Sequence, residues 1–568
     1  MKNTPPSRQY WNTAVLLMSF TVLNHLLAIL TLVITSKLLP FVFPLSFLIA
    51  SILSVYLCKQ DGYGGIKLYL PMVVGAVIIM ISLLFSTLFY DFTFDGQWYH
   101  HPAIFKLEGG WNPFLNPLDN AHKSILHFPK GTWYFSASVY SALGIFEMGK
   151  CLNIIMIAIA TLMVYATLID YKVGRVKSIA VSAIVVLHPV VWSEITTFQN
   201  DNNLYLNLVV YVISIPSWLR TNDKTPVLLG IMAGICIINI KFTGLVFLIV
   251  FAGFGLLYFI IYKPQHIWKY IVVHVLVMVL GVGVFGFNPY VTNFIHRGHP
   301  FYPVMGTAEY PSHISDGKDG NEIYETPKNM MGKPTLVRFF YANFSKPSNA
   351  PYNRQKDAEL IFPFTSKTSD WKVYRFHDLR IAAFGPFFSG LLVLSFAYLI
   401  FLMFKLGKQR WHLVFPILAI FTSLALSKHF WWARFGPQLW LFPITLIVTT
   451  FLTTNSKPRK IFNWGMISLM FINGIIVLTI HLSWVRKSTV KQRKQLTELR
   501  NQAKPIEICM YWFNESMNRK LVKWGIEYKE ISRKEMRKLD KREFKVLHTV
   551  VNGYPGMNRY RILEDNDE

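Results

Sequence analysis

The chain has 568 residues, of which 52% are hydrophobic and only 15% are charged. A soluble globular protein carries about 25% charged residues, and here the deficit comes with repeated apolar runs of membrane-spanning length. This composition excludes an ordinary soluble domain and predicts an all-α polytopic membrane protein. It also excludes a transmembrane β-barrel, whose sequence shows alternating segments of about ten residues instead of long apolar runs.

The chain is strongly basic, with 57 Lys and Arg against 31 Asp and Glu and a net charge of +26. In a membrane protein, such an excess sets the topology and contacts anionic lipid. We therefore expect the lipid bilayer, and no nucleic acid, as a partner. The 4 cysteines are scattered, and no spacing between them indicates a zinc site or a disulfide framework.

Hydropathy predicts about 13 transmembrane helices, since a spanning helix needs roughly 20 apolar residues. The first run is too long for the core of a signal peptide and lacks a clear small-residue cleavage site, which favours a retained span. The seventh span is short and has the alternative interpretation of a half-helix. The predicted spans are 13–36, 39–57, 68–90, 151–170, 177–196, 203–219, 226–240, 242–262, 270–288, 380–404, 411–427, 436–453 and 461–483.

Lysine and arginine are concentrated in the short connections on the side of the N-terminus, which makes that side cytoplasmic by the positive-inside rule. The loops 90–150 and 289–379 then face outward, and we expect the tail to lie outside with them. The first loop is expected to hold two interfacial helices, near Gly96–Gly109 and over Thr132–Met148. The second loop is polar and has no long periodic element.

Three regions follow from this organisation: two N-terminal helices (1–66), a transmembrane core with the large loops 90–150 and 289–379 (67–484) and a soluble tail (485–568). The tail has the alternation of a small α/β domain. Its helix is predicted over Asn514–Trp524, with Asn514 as a plausible N-cap. Its strands are predicted over Ile506–Tyr511, Ile526–Ile531 and Lys545–Val551.

The first outer loop carries two carboxylates, Asp91 and Asp95, directly after the third span. Acidic groups at a membrane boundary are costly, so they raise a functional hypothesis. A carboxylate there serves as a general base for an acceptor hydroxyl, or binds Mg²⁺ or Mn²⁺ to neutralise a phosphate leaving group. The alternative for Asp95, which we favour of the two as the catalytic group, is an N-cap of the next helix.

Further candidates in this loop are His100, His101 and Glu108. The two histidines point in different directions on a helix, so they do not serve one site together. A histidine contact with metal or substrate competes with simple interfacial packing. Glu108 is a candidate substrate-binding acid, with the alternative of a solvated residue at a helix end before two glycines.

Polar and basic residues also mark the outer ends of later spans. Glu194 and Asp201 lie in WSEITTFQNDNN, and this density of polar groups favours a ligand contact over a simple turn. The basic candidates for binding a phosphate are Lys241, Arg297, His299 and Arg434. The alternative for these cations is snorkelling to lipid headgroups.

The layout resembles the GT-C class of integral-membrane glycosyltransferases, which use a polyprenyl-phosphate-linked sugar donor. The resemblance covers most of residues 67–450. It is carried by YDFTFDGQWYHHPAIFKLEGGWNP, HPVVWSEITTFQNDNN, NPYVTNFIHRGHPFYP and WWARFGPQLWLFP. It implies a GT-C-like fold and a catalytic carboxylate in the first outer loop, matched here by Asp91 and Asp95. It also implies a donor phosphate held by basic outer-loop residues, matched by Arg297 and Arg434.

The expected function is transfer of a hexosyl or pentosyl group to a glycan, lipid or protein acceptor in cell-envelope polysaccharide biosynthesis. The protein is expected in the inner or plasma membrane, with its active site on the extracytoplasmic face. The alternative functions are a transporter or flippase, or a polymerase, of lipid-linked saccharides. A transporter is disfavoured because no internal repeat is evident and the charges cluster at one face instead of at mid-membrane.

Overall fold

The fold comes from a computed structural model that describes residues 7–115, 121–221, 223–312, 326–348, 357–427, 429–453, 456–502, 504–510, 513–540, 542–549 and 558–563. A small sheet lies near the C-terminus. These ranges contain 8 helices that are long and apolar enough to cross a membrane: Arg8–Thr35, Val42–Gln60, Ile66–Thr87, Phe146–Asp170, Phe242–Tyr262, Pro264–Phe285, Phe388–Lys405 and Lys457–Gln502. The coarse prediction of a helical membrane protein is confirmed.

Three long helices open the chain, and short helices follow them. The long helices are α1 (Arg8–Thr35), α2 (Val42–Gln60) and α3 (Ile66–Thr87). A π-helical turn at Gly96–His100 leads into the short helices α4 (His101–Glu108), α5 (Lys123–His127) and α6 (Gly131–Leu143). Helical structure therefore lies where the two interfacial helices of the first loop are expected.

The middle of the chain is a series of seven helices, and one predicted span in it is interrupted. The helices are α7 (Leu152–Asp170), α8 (Arg175–Val186), α9 (Pro189–Glu194), α10 (Asp201–Thr221), α11 (Lys224–Ile240), α12 (Phe242–Tyr262) and α13 (Ile267–Met278). The expectation of one continuous helix over 177–196 is wrong. Proline disfavours a helical conformation at the residue before it, and His188 has extended backbone angles (φ −63°, ψ 127°).

Short helices and a second group of long ones complete the membrane part. The predicted loop 289–379 contains α14 (Thr292–Arg297) and α15 (Thr335–Phe344), while its residues 313–325 and 349–356 lie outside the described residues. The remaining helices are α16 (Phe388–Lys405), α17 (Arg410–Ala425), α18 (Leu441–Thr453) and α19 (Lys457–Gln502). Helix α19 has 46 residues and is about 69 Å long, so it continues far beyond the span predicted at 461–483 and joins the tail.

The tail contains a four-stranded sheet with the strand order β2-β1-β4-β3. Strands β1 and β2 are parallel, and β4 pairs antiparallel with both β1 and β3. The tail elements are β1 (Ile506–Met510), α20 (Asn514–Lys523), β2 (Tyr528–Glu530), α21 (Arg533–Lys538), β3 (Lys545–Leu547) and β4 (Asn558–Ile562). Strand β4 was not predicted. Of the predicted strand residues, 511, 550 and 551 lie outside the described residues.

The tail packs against the first outer loop. The Glu515 carboxylate on α20 lies 3.2 Å from Lys106 Nζ on α4, and the Arg519 guanidinium lies 5.3 Å from the centre of the Phe105 ring. Residues Leu496 and Leu499 of α19 join Ile508 and Leu521 in the core of the tail. The tail and the first loop (90–150) therefore contact each other, which predicts that both lie on the same side of the membrane.

This arrangement predicts which positions a membrane-impermeant maleimide labels from one side. In a background without native cysteines, Lys529→Cys in the tail and Leu115→Cys in the first loop should react from the same side. Both side chains are exposed, at 74% for Lys529 and 60% for Leu115. Gln265→Cys, in the exposed turn after α12, should react only from the other side. Labelling of positions 529 and 115 from opposite sides would contradict this arrangement.

Candidate functional site

The Arg434 guanidinium is the centre of a cluster of charged side chains from distant parts of the chain. Its Nη2 lies 2.5 Å from Asp95 Oδ2, its Nε lies 3.1 Å from Asp201 Oδ2, and its Nη1 lies 3.4 Å from Asp378 Oδ1. Asp201 Oδ1 accepts a second bond from Lys241 Nζ at 2.6 Å. The structure thus brings together four of the residues that the sequence analysis singled out, and adds Asp378.

Local structure explains how each side chain reaches the cluster. Asp201 stands in the first turn of α10, where the helix dipole favours a negative charge. Lys241 occupies the extended break between α11 and α12 (φ −159°, ψ 147°). Asp95 precedes the π-helical turn but makes no capping hydrogen bond, so the alternative of an N-cap is not realised. Its carboxylate turns to Arg434 instead.

The members of the cluster differ in their access to solvent. The Asp201 side chain is 2% exposed, and each of its carboxylate oxygens has a cationic partner. The Asp95 side chain is 24% exposed and Lys241 is 23% exposed. Asp95 is therefore the carboxylate of Arg434 that a molecule arriving from outside meets most readily, while Asp201 holds the cations in place.

The electrostatics of the cluster keep Asp95 and Arg434 in their ionised forms. Burial alone would raise the pKa of Asp95, but the charge and hydrogen bond of Arg434 outweigh it and hold the pKa below the ordinary value. Burial alone would lower the pKa of Arg434, yet Asp95, Asp378 and Asp201 raise it well above the ordinary value. Asp95 is consequently an anion at neutral pH.

Glu194 lies beside this cluster and is 1% exposed. Its Oε2 accepts a hydrogen bond from the backbone N–H of Asn202 at 2.9 Å, one residue after Asp201. The carboxyl group of Glu194 is thus tied to the first turn of α10. Burial and the neighbouring charge of Asp201 raise the pKa of Glu194 well above its ordinary value, which favours its neutral form.

Sequence reasoning missed the segment just before α16. Arg380 Nη2 lies 3.3 Å from Asp378 Oδ2, and the Arg380 guanidinium lies 4.2 Å from the centre of a Trp432 ring. His377 Nδ1–H donates to the Ser193 carbonyl at 2.8 Å. The sequence signal for this segment is HDLR, in which Asp378 and Arg380 lie at the start of a predicted span. A charged residue at the end of a span is also what makes Asp95 a candidate.

A small cavity adjoins the cluster. Its lining includes Arg434, Asp378, His377, Ser193 and Tyr374. Its volume of about 20 Å³ has room for about one water molecule beside Arg434.

Asp91 is fully buried. Its Oδ1 accepts hydrogen bonds from the backbone N–H and the hydroxyl of Thr93, at 2.7 and 2.6 Å. Its Oδ2 accepts the backbone N–H of Phe198 at 2.9 Å and lies 3.3 Å from His101 Nε2. Asp91 and Asp95 therefore bond to different partners. Among the described residues no group of three His, Cys, Asp or Glu side chains is arranged to hold a metal ion.

The two histidines have separate partners. His100 Nδ1 accepts a hydrogen bond from Trp133 Nε1–H at 2.6 Å. His101 contacts Asp91 and, through Nδ1, the hydroxyl of Ser516 in the tail at 2.8 Å. Neither histidine has a hydrogen-bond partner in the Arg434 cluster within the described ranges.

The three remaining candidates lie outside the cluster. The Arg297 guanidinium lies 4.9 Å from the centre of the Tyr310 ring and 5.8 Å from that of Tyr302. His299 Nδ1 accepts the backbone N–H of Phe301 at 3.1 Å. Glu108 ends α4 and is partly exposed. The structure does not join these side chains to Arg434.

Comparison with known proteins finds no matching family model, no matching curated protein and no matching solved structure.

Replacing Arg434 with Gln should lower the stability of the protein at pH 7 by about 3 kcal/mol, because it leaves buried carboxylates without their cation. The loss of stability should become smaller as the pH falls toward 4. Burial raises the pKa of a carboxyl that has lost Arg434, so the carboxyl becomes protonated and the unpaired charge is removed. Thermal unfolding of the detergent-solubilised protein measures both effects. Arg542→Gln is the control, because that residue pairs with Asp540 on the surface and should leave the unfolding midpoint unchanged.

Asp91→Asn should destabilise the protein by about 3 kcal/mol, since an amide cannot accept all the hydrogen bonds that Asp91 receives. Burial would raise the pKa of Asp91, but His101, Thr93 and Phe198 lower it below the ordinary value. The stabilisation is therefore complete above the unfolded-state pKa, about 3.9, and is lost as the pH falls toward the folded-state pKa. Equal unfolding midpoints for the variant and the wild type at pH 7 would contradict this role.

Proposed function

We propose that the chain is an integral-membrane glycosyltransferase that moves a sugar from a polyprenyl-phosphate-linked donor to a glycan, lipid or protein acceptor. The observation that carries the proposal is the pairing of a partly exposed carboxylate, Asp95, with the two cations Arg434 and Lys241. A glycosyl transfer of this kind needs both charges, because one group must accept the proton of the acceptor hydroxyl while others hold the departing phosphate.

Asp95 is the proposed catalytic carboxylate. Its lowered pKa keeps it ionised, so it accepts a hydrogen bond from the acceptor hydroxyl and orients the oxygen for attack on the anomeric carbon. The proton passes from the hydroxyl to Asp95 as the new glycosidic bond forms, while the bond between the anomeric carbon and the phosphate oxygen breaks and the polyprenyl phosphate leaves. Asp91 is assigned the separate task of holding the loop that carries Asp95.

Arg434 and Lys241 are the proposed phosphate-binding groups. Arginine binds phosphate through two parallel N–H donors, and Arg434 already presents three nitrogens to carboxylates. The phosphate would replace one of these carboxylates as a partner. Asp201 keeps the two cations in position, and Arg297 with His299 is proposed to meet the donor farther along the outer surface.

We also propose the detailed architecture that the sequence predicts. It has a GT-C-like arrangement of about 13 transmembrane helices, a cytoplasmic N-terminus and an active site on the extracytoplasmic face of the inner or plasma membrane. The tail would lie on that same face. A helical membrane protein with Asp95 just beyond the end of α3 and Arg434 just before α18 supports a site at the membrane edge.

A Mg²⁺ or Mn²⁺ cofactor stays a prediction. Its predicted ligands are Asp91 and Asp95, of which Asp91 accepts hydrogen bonds from Thr93 and Phe198 while Asp95 pairs with Arg434. A bound divalent cation would supply positive charge against the phosphate.

Asp95→Asn should reduce transfer by at least about 100-fold while the protein still folds, because the amide does not take up the proton of the acceptor hydroxyl. The variant is expressed in a strain that lacks the native gene, and the envelope glycans are measured by mass spectrometry. Glu498→Gln is the matched control, since this acid lies on the extramembrane part of α19 and is 55% exposed. The control should retain wild-type glycans.

The same measurement separates the alternatives. Loss of one sugar from an otherwise intact glycan supports the glycosyltransferase. Loss of the whole polymer, with monomeric repeat units present, indicates a polymerase, and lipid-linked saccharides trapped on the cytoplasmic face indicate a flippase. Wild-type glycans in cells that carry Asp95→Asn would overturn the assignment of the site.

A further inference from the structure

We propose that the C-terminal tail positions Asp95, through a buried chain of hydrogen bonds that begins at Ser516. The inference rests on the proposed function, because it assigns the tail to the site that contains Asp95. Ser516, His101 and Thr93 are the proposed positioning residues.

The first links of the chain join the tail to Asp91. Burial lowers the pKa of His101 below its ordinary value, so the ring is neutral at pH 7. A neutral imidazole donates from one nitrogen and accepts at the other. The Ser516 hydroxyl donates to His101 Nδ1 at 2.8 Å, and His101 Nε2–H faces Asp91 Oδ2 at 3.3 Å. Because the ionised Asp91 carboxylate only accepts hydrogen bonds, it fixes the tautomer with the proton on Nε2, and the Ser516 hydroxyl then anchors the other side of the ring.

The next links lead from Asp91 to the residue after Asp95. Asp91 Oδ1 accepts both the hydroxyl and the backbone N–H of Thr93. Thr93 Oγ1 in turn accepts the backbone N–H of Gly96 at 3.0 Å. The turn is closely packed, because a Cβ at Gly96 would overlap Asp91 Oδ2 and Thr93 Oγ1. The conformation of this turn therefore determines where the neighbouring Asp95 carboxylate points.

The tail also contacts aromatic residues on both sides of Asp95 in the chain. The Phe513 ring lies 5.3 Å from the Phe94 ring and 6.3 Å from the Trp98 ring, between centres. The Phe94 and Trp98 rings are themselves stacked at 5.6 Å. Phe94 precedes Asp95 directly, and Trp98 lies one turn after it, so the tail contacts the segment on either side of the proposed catalytic carboxylate.

The same three residue types, serine, histidine and aspartate, form the nucleophilic triad of hydrolases. Here Ser516 is 2% exposed, and His101 and Asp91 are fully buried. A serine nucleophile needs space for a substrate carbonyl above its hydroxyl, and this burial leaves none. The geometry therefore fits a structural link between the tail and the loop.

The test is the substitution Ser516→Ala, which removes one hydroxyl from the link. A misplacement of about 1 Å at a reacting group costs roughly 100-fold in rate, so we expect kcat to fall by roughly 10- to 100-fold. The KM for a polyprenyl-phosphate hexose in proteoliposomes should stay within about twofold, because Arg434 and Lys241 are untouched. Amide hydrogen exchange at residues 92–98 should become faster.

His101→Gln is the second variant, because its amide N–H still reaches toward Asp91 but the contact with Ser516 is lost. The effects of Ser516→Ala and His101→Gln on kcat should not add in the double variant, since both break the same link. Ser532→Ala is the matched control. It removes an exposed tail hydroxyl whose hydrogen bond caps α21, so kcat and exchange at residues 92–98 should stay at wild-type values.

Unchanged kcat and unchanged exchange at residues 92–98 in Ser516→Ala would overturn the inference. Equal slowing by Ser532→Ala would overturn it too, because the effect would then come from general loss of tail stability. If Asp95→Asn is fully active, the proposed function fails, and the exchange measurement still decides whether the tail orders the turn. If Asp95→Asn is inactive and Ser516→Ala behaves as wild type, only the positioning role fails.

Discussion

The structure depends on the need of a buried arginine for negative partners. Arg434 is 12% exposed in its side chain and contacts Asp95, Asp201 and Asp378. Taking such a cation out of water is costly unless carboxylates surround it. The ion pairs of Arg434 therefore bring together four parts of the chain: the first loop, the start of α10, the segment before α16 and the turn before α18. Hydropathy alone gives no indication that these four parts meet.

Buried ion pairs contribute little net stability, since desolvation offsets most of the attraction between the charges. Their main effect here is to hold the charged side chains in fixed positions. Charges held in a fixed, partly desolvated arrangement act on a ligand without having to reorganise. The small exposed fractions of Asp95 and Lys241, against the burial of Asp201, give the cluster one face toward the outside and one face toward the protein.

The second organising feature is the coupling of the tail to the first loop. Helix α19 runs without interruption from the membrane part into the tail, and α20 lies against α4. Polar groups in this interface are paired: Ser516 with His101, His101 with Asp91, and Lys520 with Gln492 at 3.1 Å. Because an unpaired buried polar group is costly, these pairs specify one docking geometry. The loop with Asp95 is thereby ordered by contacts from both the membrane part and the tail.

The sequence by itself determined the helical membrane class, the positions of the long apolar helices, the short α11 and the α/β character of the tail. These features depend on local hydropathy and on propensity within a few turns. Only the tertiary structure decided which polar groups meet. It placed Asp378 beside Arg434, gave Asp91 and Asp95 different partners, and paired His101 with a serine 415 positions away. Pairing energies depend on distances in space and on burial, and neither can be read from the order of residues along the chain.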